Sequence, residues 1–203
     1  FGHAGEVSLN ECMNNHGGFD HNLQTLRIVM FLENKYLKFK GLNLSIETIE
    51  GLLKHNGPVT DLDSVNNLIG IKNFKNMINF NTYPSLEAQI ASISDDIAYM
   101  NHDLDDGFRA GLFRLKDLTK LSFYKEFIKK YGLEPNSSRF KKELVRNLIN
   151  KMVVDLIVQT EKNLQKIKPK NVNHIRNAGF NIASFSTKMK KNSTLPMVLN
   201  KLV

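Results

Sequence analysis

PSLEAQIASISDDIAYMNHDLDDG, residues 84–107, is the stretch whose reading decides the fold. Pro84 opens a helix, where its fixed backbone angle fits and its missing N–H costs nothing. At about 100° per residue, Leu86, Ile90, Ile93, Ile97, Met100 and Leu104 gather on one face. Asp95, Tyr99, His102, Asp103 and Asp106 gather on the opposite one. The spacing predicts an amphipathic helix over about 84–106. Five aspartates, at 95, 96, 103, 105 and 106, lie within twelve residues of it. Like charges at i,i+4 cost a helix about 0.2–0.5 kcal/mol per pair, and Asp is a poor interior helix former. The stripe is therefore either a solvated acidic face or one compensated by a cation or by basic neighbours.

Helical periodicity extends in both directions from this segment. Glu6 to Asn15 reads as a short helix stopped by Gly17-Gly18. Asp20 can cap a second helix to about Asn34, with Leu23, Leu26, Val29 and Met30 on one face. Ser45 can cap Ile46 to His55, with Glu47 and Glu50 near its positive end, and Asn56-Gly57-Pro58 ends it. Residues 61–80 are Asn-rich and predict two short helices. Gly107 and Gly111 loosen the chain next. After Asn136-Ser137-Ser138, Phe140, Leu144, Val145, Leu148, Ile149, Met152, Val153, Leu156 and Ile157 step by three, four or one, which predicts the longest helix, ended at Pro169. A short helix near Val172 to Asn177 and a last one over about 184–200 complete an all-α reading without strands or repeats.

The chain has 203 residues and a net charge of +8, unevenly spread. Residues 1–110 hold eight of the 28 basic and 14 of the 20 acidic residues, a net of −6, and residues 111–203 carry +14. This predicts two regions, 1–110 and 111–203, joined at a soft boundary. The basic region suits an anionic partner such as single-stranded nucleic acid or polyphosphate, or is a solvated lysine-rich surface. Phe123, Tyr124, Phe127 and Tyr131 within it recur at helical spacing, which favours core packing over base stacking. The one cysteine, Cys12, excludes an internal disulfide and a multi-cysteine metal site and fits a reducing, cytoplasmic setting. The longest apolar run, Met152 to Val158, is interrupted by Asp155, so no membrane association is expected.

A second group of chemical candidates lies near the start. His3 and Glu6 stand one helical turn apart, a spacing suited to a general acid and its orienting carboxylate. His21 opens the next predicted helix, where backbone N–H groups favour a phosphate. Lys54 places a cation at a helix C-terminus, which dipole complementarity explains equally well. No P-loop, dinucleotide fingerprint, Cys-x-x-Cys, His-Glu-x-x-His or Gly-x-Ser-x-Gly motif occurs. His102-Asp103 is no chelating dyad, because side chains at i,i+1 diverge on a helix.

In this order, several runs resemble the bacterial deoxyguanosinetriphosphate triphosphohydrolase-like family of the HD-domain superfamily. They are FGHAGE (1–6), GGFDHN (17–22), GLNL (41–44), KHNGP (54–58), PSLEAQ (84–89), DDIAY (95–99), NHDLDDG (101–107), RNLI (146–149) and RNAG (176–179). The resemblance covers nearly the whole chain. It implies an all-α HD-domain helical fold with a C-terminal helical extension. The implied reaction is metal-assisted hydrolysis of a deoxynucleoside triphosphate, dGTP for example, to deoxynucleoside and tripolyphosphate.

By resemblance, His3 protonates the leaving 5′-oxygen, Glu6 orients it, and His21 and Lys54 face the phosphates. Tyr99 and Asp103 hold the deoxyribose, and Asp95 is one ligand of a divalent metal of the Mn, Mg or Fe type. Arg146 is a further phosphate candidate. The family's other ligands, a His and a His-Asp pair, have no counterpart here and are expected upstream of Phe1, so the chain is expected to be an N-terminally truncated member. A homo-oligomer is also expected. The competing expectation is a catalytically dead fragment serving as a nucleic-acid-binding or oligomerisation module.

Overall fold

The structure, a computed structural model, describes residues 2–69, 74–112, 114–119, 121–132 and 137–192, and the side chains of all these except 2–4, 68–69, 74–75 and 191–192. Ten α-helices and no strand occur among the described residues. In chain order they are α1 Gly2–Met13, α2 His21–Arg27, α3 Ile46–Leu53, α4 Leu62–Ile69, α5 Phe74–Met77, α6 Leu86–Ala110, α7 Ser122–Tyr131, α8 Ser138–Ile167, α9 Val172–Arg176 and α10 Thr187–Asn192. The expected all-α class is the observed one.

Local chemistry accounts for many helix starts. The carboxylate of Asp20 accepts from Leu23 N–H at 2.8 Å, and the hydroxyl of Ser45 accepts from Thr48 N–H at 3.3 Å. Ser137 does the same for Phe140 N–H at 3.4 Å, and Asn171 for His174 N–H at 3.2 Å. Each satisfies one of the amide donors that a helix leaves open at its N-terminus.

Several boundaries depart from expectation: α1 is Gly2–Met13 and not Glu6 to Asn15, and α6 begins at Leu86 and not at Pro84. The helix expected from Asp20 to about Asn34 is α-helical only to Arg27, then widens into a π-helical turn over Ile28–Leu32, closed by Glu33 N–H to Ile28 O at 3.0 Å. Gly41 is then drawn against that turn at φ +67°, where an added Cβ would lie 2.3 Å from Met30 O. Only glycine tolerates both the angle and the approach. Gly107 does not loosen the chain, since α6 runs through it to Ala110. The last helix is Thr187–Asn192, not about 184–200, and residues 193–203 lie outside the described residues.

The chain folds as two compact units, residues 1–89 with 169–181 and residues 90–168 with 182–203. This division follows packing, whereas the division at 110 follows charge, and the two do not coincide. The first unit is built on Leu26, Ile49, Leu53, Val65, Ile78 and Phe80, all buried. In the second unit α8 contributes Phe140, Leu144, Leu148, Met152, Leu156 and Thr160, a strict i,i+4 ladder. The wider stripe expected on α8 is not buried: Ile149, Val153 and Ile157 stay exposed. Phe127 of α7 meets Phe140 edge-on with ring centroids 5.2 Å apart. Of the four aromatics expected in the core, Tyr124 and Phe127 are buried, Phe123 is half-buried and Tyr131 is exposed.

α8 also anchors the chain that returns past it. Asp155 accepts from Ser186 N–H at 2.8 Å and from its hydroxyl at 2.7 Å, while the Asn163 amide donates to Ile182 O at 2.8 Å. No helix among the described residues is long and apolar enough to cross a membrane.

The ladder on α8 predicts unequal costs along one helix. Leu144→Ala, at a fully buried position, should destabilise the protein by about 3 kcal/mol. Val153→Ala, at an exposed one, should change stability by less than roughly 0.5 kcal/mol. Urea unfolding of both variants tests this, and equal losses would contradict the ladder.

Candidate functional site

The first unit brings Glu6 and His21 together. α1 carries Glu6, and the chain reverses through Gly17 at φ +93° and Gly18 at φ +76°. The reversal is close enough that a Cβ on Gly18 would lie 2.7 Å from Asn10 Oδ1, the same oxygen that accepts from Phe19 N–H at 2.8 Å. His21 thereby lands over α1. Glu6 Oε1 accepts from the His21 backbone N–H at 3.1 Å and meets the ring Nδ1 at 2.6 Å.

A carboxylate on Nδ1 fixes both the tautomer and the direction of the ring, so Nε2 on the far edge is the nitrogen turned away from Glu6. The His21 side chain is 45% exposed. Glu6 was expected to orient His3; its described ring partner is His21. His3 lies on α1, and its side chain is outside the described ones. The ring of His55 stands edge-on to His21, with centroids 6.5 Å apart and an interplanar angle of 85°.

Lys54 follows α3, but it points inward and is 0% exposed. Its ammonium donates to Glu50 Oε1 at 2.7 Å, Asn79 O at 2.7 Å and Thr82 Oγ1 at 2.9 Å. An ammonium has three donors, and all three are taken. In this arrangement Lys54 has no N–H left for a phosphate. Dipole complementarity does not describe it either, because its main partner is a side chain one turn back, at i−4. Glu50 in turn accepts from Arg176 Nη2 at 2.6 Å through its other oxygen. Burial pushes the Lys54 ammonium below the usual lysine range, and hydrogen bonding and charge from Glu50 act in the opposite sense. Arg176 also carries a buried Nε without a hydrogen-bond partner among the described residues.

In the second unit α6 buries Ile97, Asn101, Leu104 and Phe108. Asp95, Tyr99, His102 and Asp106 are exposed and Asp103 is half-buried; Tyr99 is 62% exposed. Asp105 lies off that face and pairs with Arg109 at 2.7 Å. Asn101, unforeseen in an apolar stripe, donates to Ile97 O at 2.7 Å. Arg146 pairs with Glu143 at 2.7 Å through one guanidinium nitrogen, and its side chain is 72% exposed. Among the described residues, no three His, Cys, Asp or Glu side chains come together in a way that could hold a metal ion. Asp95 therefore offers one carboxylate and not a site, because a divalent ion needs several such donors.

Glu50, Thr82 and His55 were not foreseen as a group. The Glu50/Lys54 spacing of four, with the acid first, was a usable signal for an ion pair. Nothing local marked Thr82 or Arg176 as their partners, which lie 28 residues after Lys54 and 126 after Glu50.

The relatives of the chain bear on these residues. No family model matches it. A deoxyguanosinetriphosphate triphosphohydrolase-like protein of Pelagibacter ubique (strain HTCC1062) is 57% identical over 194 residues, which cover 94% of this chain and 52% of that protein. Proteins of the same description from Rickettsia typhi (strain ATCC VR-144 / Wilmington) and Parvibaculum lavamentivorans (strain DS-1 / DSM 13023 / NCIMB 13966) are 41% and 42% identical. These matches cover 93% and 95% of this chain and 49% and 50% of the relatives. The chain thus spans about half the length of the curated relatives it matches. Its helices and these identities define an all-α protein of one class. Over nearly its whole length the chain is similar to deoxyguanosinetriphosphate triphosphohydrolase-like proteins.

The Lys54 network predicts coupled losses. Lys54→Met and Glu50→Gln should each destabilise the protein by about 3 kcal/mol, because each leaves a buried charge short of a partner. The double variant should lose less than the sum of the two. Urea unfolding of the four proteins measures this, and strictly additive losses would argue against a shared network.

Proposed function

We propose that this chain carries part of the site of a deoxynucleoside triphosphate triphosphohydrolase, which converts a substrate such as dGTP to deoxynucleoside and intact tripolyphosphate. The observation that carries the reading is the Glu6–His21 pair, built from two runs, at 1–6 and 17–22, that also carry the family resemblance. The 2.6 Å contact at Nδ1 is what a histidine needs to present Nε2 to phosphate oxygens in a fixed direction. His3 takes the role of proton donor to the leaving 5′-oxygen. In the sequence His3 stands three residues before Glu6, the spacing of a general acid and its orienting carboxylate.

The exposed side of α6 supplies the other half of the reading. Asp95, Tyr99 and Asp103 follow one another at i, i+4 and i+8, so one helix face addresses metal, sugar ring and 3′-hydroxyl in turn. When bound, a divalent metal would supply Lewis-acid activation of water or of a phosphoryl oxygen. The described residues offer it Asp95 alone, so no step is assigned through it. Lys54 drops out of the substrate-contacting set and becomes the residue that fixes the turn bearing His55.

The test is incubation with dGTP and manganese, with products separated by ion chromatography. The 203-residue chain alone should release no tripolyphosphate. A protein that joins it to the additional length found in its relatives should release deoxyguanosine and tripolyphosphate together. That release should be abolished by Asp95→Ala and retained in Asp105→Ala. Release of monophosphate or pyrophosphate by the joined protein would sink the proposal.

A further inference from the structure

We propose that His55 is a second phosphate-binding imidazole beside His21, and that the two rings together take an oligophosphate; the inference rests on the reading of His21 as a phosphate-side residue. His55 is aimed by the turn that holds it. Lys54 is locked into the interior by three hydrogen bonds, and its carbonyl accepts from Gly57 N–H at 2.9 Å. Gly57 at φ +110° completes a reversal that other residues rarely adopt. With its neighbour fixed inward, His55 is turned outward and exposed, edge-on to His21 at 6.5 Å.

Charge explains why a second ring is needed. Glu6 engages His21 at 2.6 Å, so with its ring protonated the pair is neutral overall. Such a pair orients a ring but attracts an anion only weakly. A second imidazole adds N–H donors, and when protonated a net positive charge, within one ring's reach. Two perpendicular rings direct their donors along different lines, which suits a ligand with several phosphoryl oxygens better than a single carboxylate. A plain packing role for His55 would need only the ring edge.

Inorganic tripolyphosphate is the probe, titrated into the 203-residue chain while the ring resonances of His21 and His55 are followed by NMR. Both should shift and saturate together. His55→Phe keeps an aromatic edge against His21 but removes the donors. Read at His21, it should weaken binding about tenfold, the loss expected for one charge-assisted hydrogen bond. The urea midpoint of the variant should match the parent. If His21 still saturates at the parent concentration in His55→Phe, the role of His55 is overturned while the reading of His21 stands. If neither ring responds in the parent, both are overturned, even where calorimetry detects binding to lysines elsewhere.

Discussion

The first unit depends on one buried ammonium. Taking Lys54 out of water costs several kcal/mol unless its donors are met, and here three acceptors meet them at 2.7–2.9 Å. Those acceptors come from α3 and from the loop at 79–82, and Glu50 carries the connection on to Arg176 of α9. Tyr83 N–H adds a bond to Arg176 O at 3.0 Å. This is why residues 169–181, distant in sequence, belong to the same compact unit as residues 1–89. A hydrophobic cluster of similar volume could supply equal stability, but it would not demand one geometry from three separate segments. The ion network does, because each partner left unmatched inside the protein is costly.

That demand reaches the candidate chemistry through adjacency along the chain. Lys54 and His55 are neighbours on a turn closed by Gly57, so fixing one inward fixes the other outward. His21 is placed by different means: a double-glycine reversal, the Asp20 cap, and two contacts from Glu6. The two imidazoles therefore meet as the result of two independent local constraints. Neither constraint contains a contact between the rings as its cause.

The sequence was most readable where structure is local. Asp20, Ser45 and Ser137 each announce a helix start, and each caps one. The amphipathic pattern of residues 84–107 puts Ile97 and Leu104 on the buried side of α6 and Asp95, Tyr99, His102 and Asp106 on the exposed one, as observed, but Ile90, expected on the buried side, is 42% exposed. It errs at Asn101, whose amide is buried because it can bond back to Ile97 O within the same helix. Periodicity overstates the buried face of α8, since the pattern records which residues are apolar and not how wide the opposing surface is. Gly107 was misread for a related reason: a helix held by packing tolerates one glycine whose intrinsic cost is only about 1 kcal/mol. In the candidate site, the side-chain identities were legible and their pairings were not. Glu6 to His21 spans 15 residues and Glu50 to Arg176 spans 126, beyond any helical or turn spacing.

The acidic stripe shows how far face assignment alone can be carried. Its five aspartates do not share one environment. Asp105 is neutralised by Arg109 within the helix, and Asp103 is half-buried, whereas Asp95, Asp96 and Asp106 are exposed. Repulsion among exposed carboxylates is screened by water and salt, so the stripe can exist without a bound cation. What distinguishes Asp95 and Asp103 from Asp105 is not charge but the absence of an intrahelical cation together with a shared side with Tyr99. On α6 the Asp105 carboxylate is engaged by Arg109, whereas Asp95 and Tyr99 share an exposed side. Lys54 has all three of its donors engaged inside the protein, whereas the His21 ring is held through Nδ1 and its Nε2 is turned away from Glu6.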